Sequence, residues 1–515
     1  MSEGEAAAPA PMVAVAPAAP AVDPLRIESV SICAFRAFPH EVALNLQGKN
    51  ILIYGENGSG KTSIFQALRH FFAKSAPRFE TIKNVFNANA DNEFRISVRF
   101  NDGTPAVDWL KAKHPGSAFT GSDPRVVETA IRKSVLDYRA LLDTNYIHGD
   151  DRPNLFDIVV ERILHDFPIT VEGGTNTTIG ELWSKTKRSI PSNYNYKLDS
   201  ITENCSAFSK GLRGALDALQ PHLAGLLTEL IGDAVTVDSM TFSGVTYNHA
   251  WFKRDREIRG QTLYPEVVFG THGVHIPQNF LNEARLSALA LAIYLAGRLA
   301  CVPTDGANRL KLLVLDDVLI GLDHDNRMPV LRLLQKYFID WQIVILTHDR
   351  VWFDMAKDFF KKTDPWQWIE VKADGNNGKA TPTVKRHNGD VVADALSDAN
   401  LLKTSSIEAA ANSARRAFEG CLRRFAEKRS LKLRFKVDPK DVNTDDFLDA
   451  IDAWIDAKLS RAALKPVVAD LRAMRTGVLN PQSHDGAPSP STAEVTAALT
   501  RIEELRAAIS NAALN

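Results

Sequence analysis

From Arg26 to Leu46 apolar side chains alternate with polar ones, at Ile27, Val30 and Ile32 and then at Val42, Leu44 and Leu46. This period-two spacing, interrupted near Pro39, predicts two short strands joined by a turn. Asn50-Ile-Leu-Ile-Tyr54 is a short unbroken apolar run, the pattern of a strand covered on both faces. The period then changes: Ile64, Phe65, Leu68, Phe71 and Phe72 recur at helical spacing and predict a helix over Ser63–Phe72. Leu312-Leu-Val-Leu315 and Gln342-Ile-Val-Ile-Leu346 read as two more buried strands, and Leu286 to Leu299 as a strongly apolar helix. Trp366 to Val371 reads as another strand, followed by a polar loop at Asp374–Gly378 and an edge hairpin to Lys385. Strands alternating with helices put this part of the chain in the α/β class.

The segment between, Gly103 to Asp233, predicts three helical blocks: Pro124–Thr144, Asn154–Phe167 and Tyr196–Ile231. The last carries Leu198, Ile201, Cys205, Phe208, Leu212, Leu216, Leu219, Leu223 and Leu226 in steps of three and four, close to a heptad seam. At about 1.5 Å per residue it spans roughly 50 Å, and Pro221 should kink it. The seam is expected to pack on the insert's own helices, with a protruding arm as the alternative. From about Ala393 the pattern is helical to the end, in blocks Ile407–Lys428, Thr444–Lys458, Ser460–Arg475 and Ser491–Ala512, with a loop at Gly477–Pro490.

Candidate chemistry follows directly on the strands. Tyr54 leads into Gly55-Glu56-Asn57-Gly58-Ser59-Gly60-Lys61-Thr62-Ser63, a complete G-x-x-x-x-G-K-[ST] loop between a strand and a helix. Glycines let successive N–H groups turn inward on phosphate oxygens, and the helix beginning near Lys61 adds its positive end. In this motif Lys61 reaches the β- and γ-phosphates and the Thr62 hydroxyl ligates Mg²⁺. Leu312–Leu315 ends in Asp316-Asp317, and Gln342–Leu346 ends in Thr347-His348-Asp349. In a parallel sheet such ends face the phosphate loop. Asp316 is then placed to hold Mg²⁺ through water, Asp317 to orient or deprotonate the attacking water, and His348 to hydrogen-bond the γ-phosphate.

Composition changes this picture little. The 515 residues carry 61 Lys plus Arg against 62 Asp plus Glu, for a net charge of −1. This excludes a globally basic nucleic-acid coat and leaves room for a local patch. Cys33, Cys205, Cys301 and Cys421 lie far apart, so neither a disulfide scaffold nor a thiolate zinc site is expected and a reducing cytoplasm fits. No apolar run is long enough to span a bilayer, so no membrane partner is expected. The Ala- and Pro-rich stretch Met1 to Pro24 reads as a disordered tail.

The loop Gly55–Thr62, then Asp316-Asp317, Gly321-Leu-Asp323 and His348, in that order, resemble the ATP-binding-cassette ATPase heads of the SMC, RecF and related DNA-repair families. Phe35-Arg-Ala-Phe38 after the opening strand is typical of the same group. The resemblance spans roughly Arg26–Asn101 and Ala234–Lys372. In overall texture the chain is also similar to short, coiled-coil-poor ATPases of bacterial anti-phage systems. The resemblance implies a head with a mixed sheet and flanking helices, split by a helical insert and followed by an all-helical C-terminal domain. The divisions would be 1–24, 25–102, 103–233, 234–392 and 393–515. It also implies ATP and Mg²⁺ as cofactors, slow or ordinary ATP hydrolysis, and a second head as partner in a homodimer or higher oligomer. The family signature that reaches the nucleotide of a second head reads Leu-Ser-x-Gly-Glu/Gln; here it is Leu281-Asn282-Glu283-Ala284-Arg285. Asn282 can still donate an N–H there, and Arg285 would supply charge. Asp317 stands where most relatives have Glu, and no glutamine loop is evident near Asn92–Phe100. A coiled coil of SMC length is excluded.

Two function classes fit the resemblance. In one, ATP-driven head dimerisation powers a DNA-directed repair or anti-phage defence complex. In the other, ATP occupancy restrains an effector, either a nuclease partner or the C-terminal domain. That domain carries a basic run, Arg415, Arg416, Arg423, Arg424, Lys428, Arg429, Lys432, Arg434 and Lys436, interleaved with Phe418, Phe425 and Phe435. The run suits nucleic-acid phosphates, or a solvated face balanced by Glu408, Glu419 and Glu427. Arg475 and His484 resemble the HEPN ribonuclease pair, at wider spacing than that family uses.

Overall fold

The computed structural model describes residues 24–73, 77–111, 123–126, 135–137, 152–171, 174–192, 198–302, 310–318, 322, 324–360, 366–373, 381–387, 390–404, 406–438, 441–479 and 489–514. The expected tail, up to residue 23, and Gly321, Asp323 and His484 lie outside these residues. The chain divides into two compact units, Met1–Trp366 with Val371–Val384, and Gln367–Glu370 with Lys385–Asn515.

The first unit opens with strands β1 (Ile27–Cys33), β2 (Val42–Asn45) and β3 (Asn50–Tyr54), then helix α1 (Lys61–Phe71). Next come β4 (Arg95–Phe100), β5 (Val107–Leu110), β6 (Val135–Asp137) and helices α2 (Ile179–Arg188) and α3 (Asp199–Ile231). Strands β7 (Val235–Thr241), β8 (Tyr264–Phe269) and β9 (His272–Val274) lead to α4 (Glu283–Ala300). The unit continues through β10 (Leu312–Asp316), α5 (His324–Tyr337), β11 (Gln342–Thr347) and α6 (Arg350–Phe360). Strands β12 (Trp366–Lys372) and β13 (Thr383–His387) are shared between the two units.

At the centre, β3, β11, β10 and β6 pair in that order, all parallel. Asp316 aligns with Leu346, and Thr347 with Tyr54. The last residues of β3, β10 and β11 therefore stand side by side at one edge. The strands are buried from Ile51 to Ile53, Leu312 to Asp316 and Gln342 to Thr347, as expected for a sheet covered on both faces.

A second, antiparallel sheet runs β2-β1-β4-β5, and a third runs β9-β8-β7. Gln342, fully buried at the start of β11, fastens the first of these to the core. Its Oε1 accepts the Ile27 N–H at 2.6 Å, and its Nε2 donates to the carbonyls of Ile27 at 2.9 Å and Lys49 at 3.1 Å. A buried amide with its partners met holds one register where apolar contact alone would tolerate several.

Two expectations about the insert are corrected. The block Pro124–Thr144 is not one helix: Val135–Asp137 is a strand added to the parallel edge beside β10. Its three residues gain ladder hydrogen bonds from an existing strand, which local propensity cannot anticipate. Helix α3 does form, unbroken through Pro221, with Ile201, Cys205, Phe208, Leu212, Leu216, Leu219, Leu223 and Leu226 buried. Its seam packs on insert helix α2 but also on α4, α5 and β7, outside the insert. The reason lies in α4, which is buried continuously from Ser287 to Arg298 and needs apolar cover on every side. Gly225 permits the closest approach, since a Cβ there would sit 2.8 Å from the Tyr337 hydroxyl.

The second unit is helical: α7 (Val391–Leu402), α8 (Ile407–Lys428), α9 (Thr444–Asp456), α10 (Lys465–Met474) and α11 (Thr492–Ser510). The predicted block Ser460–Arg475 begins as a 3-10 turn, Leu459–Leu464, and becomes α-helical at Lys465, just before Pro466. Proline is favoured in that first turn, where its missing N–H costs no helical hydrogen bond.

Candidate functional site: a phosphate loop facing a carboxylate–imidazole pair

The phosphate loop leaves β3 at Gly55, whose N–H donates to the Thr347 carbonyl at 3.1 Å. A Cβ on Gly55 would lie 2.7 Å from the Val371 carbonyl oxygen and closer still to the Ser59 hydroxyl, so only glycine fits. Gly58 and Gly60 adopt φ of +83° and +102°, which L side chains rarely adopt. Gly60 stands at the N-cap of α1, and no side chain caps that helix. The first-turn N–H groups of α1 have no partner within the helix and suit an anion. The Ser59 hydroxyl points the same way: it is buried and lacks a hydrogen-bond partner.

Lys61 is folded into the loop it belongs to. Its Nζ donates to the Gly55 carbonyl and, at 3.0 Å, to the Glu56 carbonyl. Burial pushes its ammonium pKa below the ordinary value, while Asp317, Asp316 and Glu56 pull the other way. The two aspartates at the end of β10 are thus electrostatic neighbours of Lys61. A phosphate oxygen would supply the negative partner that two carbonyls supply only in part. Thr62 is exposed at the first turn and Asp316 is 6% exposed, one hydroxyl and one carboxylate for Mg²⁺. Among the described residues no group of three His, Cys, Asp or Glu side chains is arranged to hold a metal. The hard cation would therefore take most of its oxygen ligands from phosphate and water. The Ser63 hydroxyl accepts the Ala37 N–H at 3.3 Å and anchors the Phe35–Phe38 turn to α1.

Asp317 has φ +52° and donates its N–H to the Leu346 carbonyl at 3.0 Å. This left-handed turn brings its carboxylate onto His348. Oδ1 accepts the His348 backbone N–H at 3.0 Å and meets the ring Nδ1 at 2.9 Å. Asp317, Arg327, Leu346, Thr347, His348, Asp349 and Trp352 line one small cavity. Arg327 and Trp352 carried no sequence signal for this role, because one is a lone Arg on a helix and the other reads as core.

Asn282 and Arg285 lie at the start of α4. Asn282 is the N-cap: its Oδ1 accepts the Arg285 N–H at 3.0 Å. The Arg285 guanidinium lies 5.3 Å from the Phe269 ring centre. Ala284 is 4% exposed, where its methyl packs into the helix interface.

In the second unit the basic run separates into two groups. Arg424 pairs with Asp390, Arg415 with Glu419 at 2.9 Å, and Lys436 with Asp446 at 2.6 Å. Arg429 donates to the Ala508 and Asn511 carbonyls, both at 2.7 Å. Phe418 and Phe425 are buried in the helical core, so they are not the interleaved stacking surface that the sequence suggested; Phe435 is 88% exposed. Arg475 pairs with Asp445 at 2.6 Å.

Comparison with known proteins adds to this. Residues 26–212, which contain the phosphate loop and α1, match the family described as AAA ATPase domain. The Smc head domain of Pyrococcus furiosus, solved with an extended coiled coil and bound to the C-terminal domain of ScpA, is 13% identical; 70% of this chain and 96% of that one are covered, with a TM-score of 0.41. The SMC head domain from Thermotoga maritima is 14% identical over 70% of this chain and 99% of that one, with a TM-score of 0.34. The recombination mediator RecF of the RecFOR pathway, with ATP, is 13% identical over 72% and 99%, with a TM-score of 0.44. No curated protein matches the chain. Among the described residues no helix is long and apolar enough to cross a membrane.

Proposed function

We propose that this chain binds Mg·ATP at Gly55–Ser63 and hydrolyses it, and that two copies associate over the nucleotide through the segment from Asn282 to Arg285. The observation that carries the reading is the register of β3, β10 and β11, which puts the phosphate loop, Asp316-Asp317 and His348 at one sheet edge. Thr62 and Asp316 would hold Mg²⁺, which would supply positive charge against the phosphates. Lys61 exchanges the Gly55 and Glu56 carbonyls for a phosphate oxygen. Asp317 holds His348 by Nδ1, which leaves Nε2 to face a phosphate oxygen or the attacking water. The resemblance of the motif order supports a role in a DNA-directed repair or anti-phage complex with an effector protein. One chain has one phosphate loop and one signature-like segment, so a complete composite site takes two chains.

Lys61→Ala tests the first step. Titration with a fluorescent ATP analogue should show affinity falling by more than about tenfold, roughly 1.4 kcal/mol. A change of less than about threefold would exclude this loop as the nucleotide site.

A further inference from the structure

Next to the Asp317–His348 pair is a bridge that no motif announces. Arg327, in the first turn of α5, is 15% exposed. Its Nε donates to the Leu322 carbonyl at 3.2 Å, and its Nη1 donates to Oδ2 of Asp349. Asp349 is itself fully engaged. Its Oδ1 accepts the Trp352 N–H at 2.9 Å, and its own N–H donates to the Thr347 hydroxyl at 3.1 Å. Burial works against ionising the Asp349 carboxyl. The Trp352 N–H, the Arg327 guanidinium and a second backbone N–H outweigh it, and the pKa lies below the usual carboxylate value. His348 therefore sits between two residues that are both fixed, Thr347 and Asp349.

We propose that Arg327 is a positioning residue for ATP hydrolysis. It ties Leu322 and the start of α5 to Asp349, the residue after His348, and so fixes one wall of the cavity that Asp317 and His348 share, which holds the carboxylate and the imidazole in one relative orientation. The inference rests on the reading of this edge as a hydrolytic site. The geometry separates positioning from simple packing. Asp349 already accepts a backbone N–H at the start of α6, so Arg327 is not needed to satisfy that helix. What Arg327 adds is a link from Asp349 to α5 and to the Leu322 carbonyl just before it. Only a planar guanidinium can make both bonds at once, through Nε and Nη1; a lysine ammonium on a flexible stem makes one or the other.

The test uses the full chain with Arg327→Lys, Asp349→Asn and the double variant, reading steady-state ATP turnover, ATP affinity and thermal midpoint. Misplacement of about an ångström at a reacting centre costs up to about a hundredfold. Each single variant should lose about ten- to hundredfold in kcat, with ATP affinity unchanged within about twofold. The double variant should be no slower than the slower single, because both break one bridge. Wild-type turnover with unchanged kcat in both singles overturns the inference. So does a loss of kcat that tracks the thermal midpoint and ATP affinity, which marks a structural ion pair only. A wild-type chain that binds ATP without turning it over overturns the hydrolytic reading itself, and this inference with it.

Discussion

One oxygen of Asp317 serves two donors of His348, the backbone N–H at 3.0 Å and the ring Nδ1 at 2.9 Å. A carboxylate only accepts, so Nδ1 carries the proton in this contact. The two residues are 31 apart in sequence and meet because β10 and β11 are parallel neighbours. Sequence motifs assign them separate tasks; their geometry makes them one unit.

Asp317→Asn is the direct probe of that unit. The Asn Oδ1 can still accept both His348 donors, so the ring stays placed while the carboxylate charge is lost. Hydrolysis should fall by about two to four decades, the span of a general base. ATP should remain bound through Lys61, and the ATP-bound pair of chains should accumulate. Light scattering with ATP, ADP and no nucleotide checks this; a variant that stays monomeric at saturating ATP would rule out the two-chain switch.

Asn282→Asp separates assembly from folding. Aspartate caps a helix as well as asparagine and favours its positive end, so α4 should keep its start and the thermal midpoint should hold. A carboxylate facing the phosphate of a second chain should block ATP-dependent association with little loss of ATP binding. If Asn282→Asp still pairs with ATP as the wild type does, the segment is a helix cap and nothing more.

His70 gives the first unit a pH dependence. Burial pushes its pKa down to about 4 from 6.5, and Arg69 and Arg36 add to the shift. Above pH 6.5 the ring is neutral whether folded or unfolded, and it contributes nothing. As pH falls below that value the unfolded chain takes up the proton and the folded chain does not, so stability drops until about pH 4, where the loss levels off. At pH 5 the loss should be about 1–2 kcal/mol. Urea midpoints at pH 7 and pH 5 should differ less for His70→Gln than for the wild type; equal differences would remove His70 as the cause.

The basic run predicts a contrast within one helix. Asp390 takes Arg424 and, at 2.9 Å, Arg506, and it caps α7 through the N–H groups of Val392 and Ala393. Arg424→Ala should lower the thermal midpoint of the helical unit. Arg416→Ala and Arg423→Ala, on exposed positions, should leave it unchanged. Calorimetry decides; equal shifts for all three would mean that the Asp390 pair contributes nothing particular.

Much of the head was legible because its chemistry is local. The glycines that need positive φ, the lysine and the threonine are consecutive from Gly58 to Thr62, and a strand and a helix flank them. The exits of β10 and β11 could be placed too, since a continuous apolar run followed by a charged or polar group has few other readings. The helical insert was harder. A seam in steps of three and four shows that a helix buries one stripe, but it does not say against what, and α3 spends that stripe largely on α4, α5 and β7.

Sequence by itself determined which short segments turn, strand or coil, and that a strand, a glycine-rich loop and a helix follow one another around Gly55–Thr62, because those depend on backbone sterics and on residues a few positions apart. Only the tertiary structure decided that Val135–Asp137 joins the parallel edge, that Gln342 locks β1 to the core and that Asp317 closes on His348. It alone placed Arg327 on Asp349 beside His348 and put Phe418 and Phe425 in the core. Each of these is a contact between residues distant in the chain, and its free energy exists only once the intervening loops have been closed.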